Sequence, residues 1–267
     1  METTDSEQFN ALHQSCQPLI LPNIWDAASA QLCQAAGARA IATSSAALAW
    51  SLGYADGGKL PLAEHLGAIK RILRVSRVPV SIDLEDGYSD NPTQVAELVR
   101  TLSKLGVAGI NIEDGNKNPQ LLCEKITAIR SVLKKRPFFI NARTDIYLNE
   151  EDNNEDSLVE VTQRLTRYQT AGANGGFIPG LTSLEDAHYL TKNISMPLNL
   201  MLLPGMETPL QYWKAGIHRL SSGPELFLSS YNLFYQLSGN LVKSYSPIGM
   251  FDHHLDYNHL NDEAMKL

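Results

Sequence analysis

Cysteine is scarce in this chain of 267 residues, and the three cysteines, Cys16, Cys33 and Cys123, lie far apart. No two of them have the CxxC spacing, and none is spaced with histidine in the way that zinc ligands usually are. The pattern argues against a structural zinc site. An odd number of scattered thiols instead predicts reduced cysteines in a cytoplasmic protein.

The chain also lacks long hydrophobic runs and an excess of positive charge. No apolar run approaches the roughly 18 residues that a membrane-spanning helix needs, and residues 1–5 are polar and acidic, unlike a signal peptide. Because the formal net charge is −7, we expect no broad attraction to nucleic acid or to an anionic membrane. A small-molecule ligand is the expected partner, and a locally positive cleft remains compatible with an anionic one.

Short apolar runs alternate with longer amphipathic segments over most of the chain. Repeated strand–helix units predict an α/β fold with a parallel sheet, because parallel strands need long crossover connections. Eight such units in about 220 residues predict a single-domain (β/α)8 TIM barrel. A doubly wound open sheet is the alternative, but no GxGxxG or GxxxxGK[ST] motif follows any predicted strand. The predicted strands are 18–22, 40–43, 78–84, 109–112, 138–142, 176–179, 198–202 and 218–221, and the predicted helices include 27–36, 62–75, 92–105, 121–134, 157–171 and 184–193.

The boundaries of these units carry local signals. Glycine follows several predicted helices at the position where a left-handed residue ends a helix, namely Gly37, Gly106, Gly172 and Gly216.

We assign residues 1–236 to the barrel. Residues 237–267, rich in Ser, His, Asp and Asn, are either a loose tail or a C-terminal helical arm that packs on a partner subunit.

Acidic and polar side chains follow successive predicted strands. Carboxylates near a hydrophobic core are unfavourable by several kcal/mol unless they are paired or bind a metal, so acids at neighbouring strand ends predict one shared cation site. In a barrel, the carboxyl ends of the strands form the active site. The residues that the sequence places there are Asn23, Trp25, Ser44, Ser45, Ala46, Asp83, Glu85, Asp86, Glu113, Asp114, Asn141, Arg143, Asn199, Met201 and the turn 222–224.

The chemistry of this set indicates which ligands it binds. Oxygen donors without His or Cys favour Mg²⁺, or alternatively Mn²⁺, over Zn²⁺. Mg²⁺ usually keeps several waters, so we expect one direct carboxylate and others that act through water. The planar guanidinium of Arg143 suits a carboxylate. A cation beside an arginine predicts a pocket for a small, polyanionic oxo acid.

Each of these residues also has a purely structural interpretation. Asp86 and Asp114 fit helix N-caps, Arg143 fits an ion pair with Asp145 or Glu113, and Trp25 fits ordinary packing. The histidines His65, His188 and His218 are expected to pack or to face solvent rather than to act in catalysis.

Six segments together carry a family resemblance. They are residues 23–28 (NIWDAA), 43–45 (TSS), 51–56 (SLGYAD), 83–88 (DLEDGY), 112–114 (IED) and 141–145 (NARTD). By their order and spacing, the chain resembles the isocitrate lyase / phosphoenolpyruvate mutase superfamily over roughly residues 15–235. The resemblance implies an Mg²⁺-dependent barrel that acts on 2-oxo or 2-hydroxy carboxylates.

The resemblance also implies residue roles. It implies that Asp83 binds the metal directly, while Asp56, Glu85 and Glu113 hold its waters. The backbone N–H groups at positions 45 and 46 would bind the substrate carboxylate together with the arginine. The complete predicted substrate-binding set is Trp25, Ser44, Ser45, Ala46, Arg143 and Asn199. Members of the superfamily form dimers or tetramers and often exchange the last helix, so a homodimer or homotetramer is expected here.

One loop departs from the lyase branch of the superfamily. That branch carries a Lys-Lys/Arg-Cys-Gly-His loop after the fourth strand, and its cysteine protonates the leaving enolate. Here residues 114–121 read DGNKNPQL, and Cys123 falls inside a predicted helix. This argues against isocitrate or methylisocitrate cleavage. The predicted catalytic set, with its acid–base candidates last, is Asp83, Glu113, Arg143, Lys117 and Tyr88.

The leading hypothesis is an Mg²⁺-dependent enzyme that cleaves or rearranges a C–C or P–C bond of a small 2-oxo or 2-hydroxy carboxylate through a metal-stabilised enolate. Decarboxylation or hydrolytic cleavage of an oxaloacetate-like acid fits best, because neither needs the missing cysteine. The alternatives are a phosphonopyruvate-type mutase or hydrolase and a non-catalytic oxo-acid-binding relative. A further alternative is an unrelated barrel that binds a phosphorylated sugar at residues 221–224, although Pro224 removes one N–H donor there.

Overall fold

Nine parallel strands form a barrel in the computed structural model, which describes residues 4–149 and 155–265. The sheet order is β1-β9-β8-β7-β6-β5-β4-β3-β2. Because β1 and β2 are consecutive in the chain and are separated only by Pro22, the two ends of the sheet meet and the barrel closes. The predicted TIM barrel is confirmed. The strands are β1 Leu19–Leu21, β2 Asn23–Ile24, β3 Ile41–Thr43, β4 Val80–Asp83, β5 Gly109–Glu113, β6 Phe139–Arg143, β7 Gly175–Ile178, β8 Leu198–Met201 and β9 Arg219–Ser221.

Helices follow the strands and cover the outside of the barrel. They are α1 Asp5–Leu12, α2 Ala27–Ala35, α3 Ser45–Ser51, α4 Leu62–Val75, α5 Pro92–Lys104, α6 Pro119–Leu133, α7 Ile146–Asn149, α8 Glu155–Ala171, α9 Leu184–Asn193, α10 Pro209–Lys214, α11 Glu225–Ser244 and α12 Tyr257–Met265. The glycines predicted to end helices all have positive φ, between +91° and +113°. No helix in the described ranges is both long and apolar enough to cross a membrane.

Helix α5 shows how the sequence sets one of these elements. Its N-cap, Asn91, accepts hydrogen bonds from two backbone N–H groups of the first turn, and Pro92 occupies the first helical position. Val95, Val99 and Leu102 recur at helical spacing and are fully buried against the barrel. Burial of each such side chain stabilises the fold by roughly 1.5–3 kcal/mol.

The first predicted strand, 18–22, is wrong at its carboxyl end. Pro22 has no N–H to donate, so the strand is divided into β1, which pairs with β9, and β2, which pairs with β3. The division leaves Asn23 as the first residue of β2, where its amide contacts the turn after β9.

Helix α1 closes the amino end of the barrel. Phe9 is fully buried and makes an edge contact with Phe139, with the ring centroids 5.5 Å apart. The His13 ring stacks on Phe139 at 3.9 Å. The Arg219 guanidinium lies 5.8 Å from the Phe9 ring centroid, inside the barrel. With this end filled, ligand access is directed to the carboxyl ends of the strands.

The C-terminal region is helical. Helix α11 runs across the predicted boundary between residues 236 and 237, so helical structure continues into the segment whose periodicity is weak. Helix α12 packs on α2, where Gln31 Nε2 donates to the Glu263 carbonyl at 2.9 Å. The division of the chain into a barrel and an arm stays a prediction.

Candidate active site

Strand register brings the predicted acidic residues and the arginine to one end of the barrel. Asp83 is the last residue of β4 and is paired in register with Asn111 of β5. Glu113 and Arg143 end β5 and β6 and are register partners. Their side chains form an ion pair, with Arg143 Nη1 2.9 Å from Glu113 Oε2. The strand-end pattern in the sequence therefore corresponds to one cluster in space.

Asp83 is buried and only partly satisfied. Its backbone N–H donates to Thr43 Oγ1 at 2.8 Å, and its Oδ2 accepts from Ser45 Oγ at 2.8 Å. Its Oδ1 is buried and has no hydrogen-bond partner among the described residues. An unsatisfied buried carboxylate oxygen is unfavourable, and a cation or a cation-bound water supplies what this atom lacks.

Glu85 lies in a turn with unusual backbone geometry. Glu85 and Tyr88 have φ of 51° and 61°, and Gly87 between them has φ of 95°. Tyr88 Oη donates to Glu85 Oε1 at 3.4 Å, and the Gly58 backbone also hydrogen-bonds the Glu85 carboxylate. Burial, followed by the charge of Asp83, raises the pKa of Glu85 to about 6. The turn thus holds a second acid beside the first.

The acids around Arg143 outnumber it, and their pKa values are linked to its charge. Burial raises the pKa of Glu113 to about 8, with Arg143 opposing the shift and Asp83, Asp145 and Glu85 adding to it. Although burial alone would lower the pKa of Arg143, Glu113 and Asp145 raise it overall. Five titratable side chains therefore influence one another in this small volume.

The acidic set fits a hydrated cation. Among residues 4–149 and 155–265, no three His, Cys, Asp or Glu side chains converge closely enough to hold an ion by themselves. Asp83 with its unsatisfied oxygen suits direct coordination, and Glu85 and Glu113 suit contacts through water. Asp56 is exposed on the loop before α4, and its charge contributes to the raised pKa of Glu85. One direct carboxylate with water-mediated neighbours stays a prediction.

The predicted substrate-binding residues fall into two groups. Ser44 caps α3 through Ala47 N–H, and Ser45 and Ala46 form the first helical turn, next to Asp83. Trp25 is half-buried and contacts Phe227 edge-on at 5.2 Å. Asn199 is buried inside the barrel beside Ser221. The first group lies at the acidic cluster, whereas Trp25 contacts Phe227 and Asn199 lies beside Ser221.

Lys117 lines the opening of the site, and Tyr88 lies with it in a neighbouring cavity of about 290 Å³. Lys117 Nζ lies 2.5 Å from Asp86 Oδ2 and 2.5 Å from Asp90 Oδ1, so it joins the β4–α5 and β5–α6 loops. A cavity of about 360 Å³ at this opening is lined by Gly57, Gly58, Glu85, Asp86, Glu113, Asp114, Gly115, Asn116, Lys117 and Asp145. The catalytic roles of both residues stay predictions.

Two structural interpretations of the acids are wrong. The N-cap of α5 is Asn91 and that of α6 is Asn118, so neither Asp86 nor Asp114 caps a helix. Asp86 instead pairs with Lys117. The Asp114 side chain is fully buried and pairs with Arg164 of α8. The predicted ion pair of Arg143 is present with both Glu113 and Asp145, and the functional role of Arg143 stays a prediction.

Asp145 is the site residue that the sequence reasoning left outside the predicted set. Its carboxylate meets Arg143 twice, at 2.5 Å from Nε and 3.0 Å from Nη2. The segment 141–145 could have predicted this contact, because an acid two residues after an arginine at a strand end lies within reach of the guanidinium. Asp145 also lines the cavity at the opening.

The phosphorylated-sugar alternative is overturned at residues 221–224. The donors of that turn are already occupied, since Gly223 N–H donates to Asn23 Oδ1 at 3.0 Å and Ser222 N–H donates to the Leu21 carbonyl at 3.3 Å. Pro224 provides no N–H.

Known proteins resemble the chain over most of its length. The family model described as phosphoenolpyruvate phosphomutase matches residues 9–242. An uncharacterised protein of Mycobacterium tuberculosis is 36% identical over 219 residues, covering 80% of this chain and 81% of its own. The oxaloacetate decarboxylase of Pseudomonas aeruginosa is 27% identical over 242 residues, covering 85% and 82%. The phosphoenolpyruvate phosphomutase structure from Streptomyces platensis subsp. rosaceus superposes with a TM-score of 0.87 at 20% identity, covering 98% of this chain and 95% of its own.

Proposed function

The chain belongs to the phosphoenolpyruvate phosphomutase family, a group of lyases and mutases, and from this premise we propose that it is an Mg²⁺-dependent enzyme acting on a small 2-oxo carboxylate. The proposed reaction breaks a C–C bond at C3 of an oxaloacetate-like acid through an enolate. The observation that carries the proposal is the cluster at the carboxyl end of the barrel, in which a partly unsatisfied Asp83 lies beside the Glu113–Arg143 pair.

Asp83, Glu85, Glu113 and Asp56 would hold the cation, with Asp83 in direct contact. Once bound, Mg²⁺ supplies positive charge that stabilises the negative charge developing on the keto oxygen. Arg143 donates to the substrate carboxylate, since a guanidinium has five N–H donors and its two carboxylate partners occupy three of them. Ser44, Ser45 and Ala46 form the wall beside Asp83.

Proton transfer falls to groups other than cysteine. The β5–α6 loop holds no cysteine, and Cys123 lies in α6, where burial raises the pKa of its thiol. Tyr88 lines the neighbouring cavity beside Glu85, and burial and the charge of Glu85 raise the pKa of its phenol, which therefore stays protonated. Decarboxylation releases CO₂ without a proton, and the enolate then takes its proton from Tyr88 Oη or from water.

The relatives support this reaction class in part. The oxaloacetate decarboxylase of Pseudomonas aeruginosa shares the family and most of its length with this chain. The same pocket would suit a phosphonopyruvate-type mutase or hydrolase if Lys117 of the β5–α6 loop left Asp86 and Asp90 to meet a second anionic group. The C–C reaction is preferred because, in this structure, Asp86 and Asp90 neutralise the charge of Lys117.

The test is the fate of oxaloacetate with Mg²⁺ and purified protein, followed by NMR. We expect protein-dependent formation of pyruvate and CO₂, or of oxalate and acetate if cleavage is hydrolytic, above the spontaneous rate. Asp83→Asn should lower kcat/KM at least about a hundredfold, as expected when charge stabilisation is lost. The matched control is Asp252→Asn on the exposed C-terminal segment, which should leave the rate unchanged.

Equal turnover in Asp83→Asn would contradict the proposed role of the acidic cluster. A protein that binds oxo acids without converting any of them would favour the non-catalytic relative instead.

A further inference from the structure

Arg143 is held along one edge by Asp145. Its Nε lies 2.5 Å from Asp145 Oδ1 and its Nη2 lies 3.0 Å from Oδ2, a two-point contact between planar groups. Nη1 contacts Glu113 Oε2 at 2.9 Å. Three of the five N–H donors are thus used, and one remains on each terminal nitrogen. The direction of these two donors is fixed by how Asp145 is held.

Asp145 is itself anchored to a fully buried carboxylate. Its backbone N–H donates to Asp114 Oδ1 at 3.2 Å. The other oxygen of Asp114 accepts from Tyr168 Oη at 2.5 Å and from Arg164 Nη1 at 3.0 Å. Tyr168 and Arg164 both lie on α8, outside the barrel. A continuous series of contacts therefore runs from an outer helix to the arginine at the site.

The polar and charged side chains in this series of contacts indicate a role beyond packing. An apolar side chain at position 114 would join α8 to the barrel without a buried charge, and buried ion pairs often add little stability over such a replacement. An arginine side chain is also flexible. The conformational entropy that it loses on binding lowers the affinity for the ligand, unless the guanidinium is already oriented. Asp114 accepts three hydrogen bonds, and such a buried acid orients Asp145 more sharply than apolar packing would.

We propose that Tyr168, Asp114 and Asp145 form a positioning chain that orients Arg143 toward the substrate carboxylate. Tyr168 and Arg164 fix Asp114, Asp114 fixes the backbone of Asp145, and the Asp145 carboxylate fixes the plane of the guanidinium. Each of the three acts on the substrate through Arg143, and Asp114 and Asp145 also line the cavity at the opening. The inference deepens the proposed function and rests on it for the identity of the bound group.

The competing explanation is that these contacts only brace α8 against the barrel. The two explanations differ for Tyr168→Phe, which removes one hydroxyl from a buried ring and keeps the ring itself. Tyr212 offers a matched control, because it is also fully buried and its hydroxyl donates to the Thr182 carbonyl, outside the series of contacts that ends at Arg143. Both substitutions remove one buried hydrogen bond, so both should lower stability by a similar amount.

The experiment measures the hydrogen exchange rate of the Arg143 Nε–H by ¹⁵N NMR, with the signal assigned by its loss in Arg143→Lys. It also measures the dissociation constant of oxalate in the presence of Mg²⁺ by calorimetry. We expect Tyr168→Phe to speed the exchange and to weaken oxalate binding by about tenfold each, the lower end of the range for groups that orient a ligand-binding residue. Tyr212→Phe should change neither. Asp145→Asn, which acts on Arg143 directly, should exceed Tyr168→Phe in both readouts.

Equal effects of Tyr168→Phe and Tyr212→Phe on the exchange rate and on oxalate binding would overturn the positioning chain. The contacts would then only hold α8 against the barrel. If wild-type protein exchanges Arg143 Nε–H slowly yet binds no oxalate, the proposed function fails, and the exchange rates of the variants still decide the positioning chain.

Discussion

Asp83 concentrates the chemistry of the site in one side chain. Thr43 and Ser45 hold its backbone and one carboxylate oxygen, while the other oxygen stays without a partner in the described structure. In a folded protein a buried, unsatisfied carboxylate oxygen persists where a ligand compensates for it. Burial also raises the pKa values of the neighbouring acids Glu85 and Glu113, because it disfavours their charged form.

His13, at the opposite end of the barrel, is buried for structural reasons. Its Nδ1 lies 2.8 Å from the Phe9 carbonyl, which fixes the tautomer with Nδ1–H as donor. Its Nε2 is buried without a hydrogen-bond partner in the described residues. Burial, followed by the charge of Arg219, lowers the pKa of His13 to about 3, with His218 adding to the shift and the Phe9 carbonyl opposing it.

The low pKa of His13 predicts acid sensitivity. Above a pH of about 6.5 the residue is neutral in both states and has no effect. As the pH falls from there toward 3, the unfolded chain binds a proton that the folded chain refuses, so the free energy of unfolding falls. At pH 5 the loss from this residue is about 2 kcal/mol.

His13→Phe removes this proton linkage and keeps a ring to stack on Phe139. We expect the drop in unfolding free energy between pH 7.5 and pH 5 to shrink by about 2 kcal/mol in the variant, as measured by urea unfolding at one protein concentration. An unchanged drop would mean that His13 takes up a proton in the folded protein.

Helix α11 and strand β1 each leave an apolar surface uncovered. In a (β/α)8 barrel a ring of helices covers the outer face of the strands, yet Ile20 on the outside of β1 is 43% exposed. A groove of about 570 Å³ lies there, lined by Gln17, Pro18, Ile20, Pro22, Leu32, Cys33, Ala36, Gly37, Ala38, Arg39 and Leu226. On α11, Phe234 and Val242 are 67% and 71% exposed. Apolar surfaces of this kind mark interfaces.

We propose that α11 of a second copy covers these surfaces, giving the expected homodimer or homotetramer. Phe234→Asp combined with Val242→Asp should shift the molar mass, measured by sedimentation equilibrium, toward the 29.4 kDa of one chain, because two charges would enter an apolar contact. The control Val159→Asp alters a valine on α8 that is 49% exposed and should leave the mass unchanged. A wild-type mass of one chain at micromolar concentration would contradict the proposal.

At the scale of the whole molecule, the barrel separates stability from function. Its amino end is filled by α1, Phe9 and Phe139. Its carboxyl end gathers acids and one arginine around a cavity. The net charge of −7 gives no general attraction for an anionic substrate, so recognition depends on local positive charge from Arg143 and from the bound cation.

Sequence periodicity predicted this architecture because each strand and helix carries its own apolar pattern, and strand order follows from right-handed crossovers. The acids at strand ends were predicted for the same reason, since register alone joins Glu113 to Arg143. The contacts of Asp114 with Asp145 and Tyr168 join residues 31 and 54 positions apart. Side-chain packing decides such long-range contacts, and no local sequence pattern predicts them.

Thermal unfolding with Mg²⁺, with oxalate, and with both together tests the central claim most directly. Oxalate has the planar shape of the pyruvate enolate, and at a hundred times its dissociation constant a ligand stabilises the folded state by about 2.7 kcal/mol, which raises Tm by several degrees. We expect a shift that needs both ligands, disappears in Arg143→Gln and persists in Arg130→Gln, whose arginine is bonded to Gly172 and Asn174 at the other end of the barrel. A folded wild-type protein whose Tm does not respond to the pair would contradict the account.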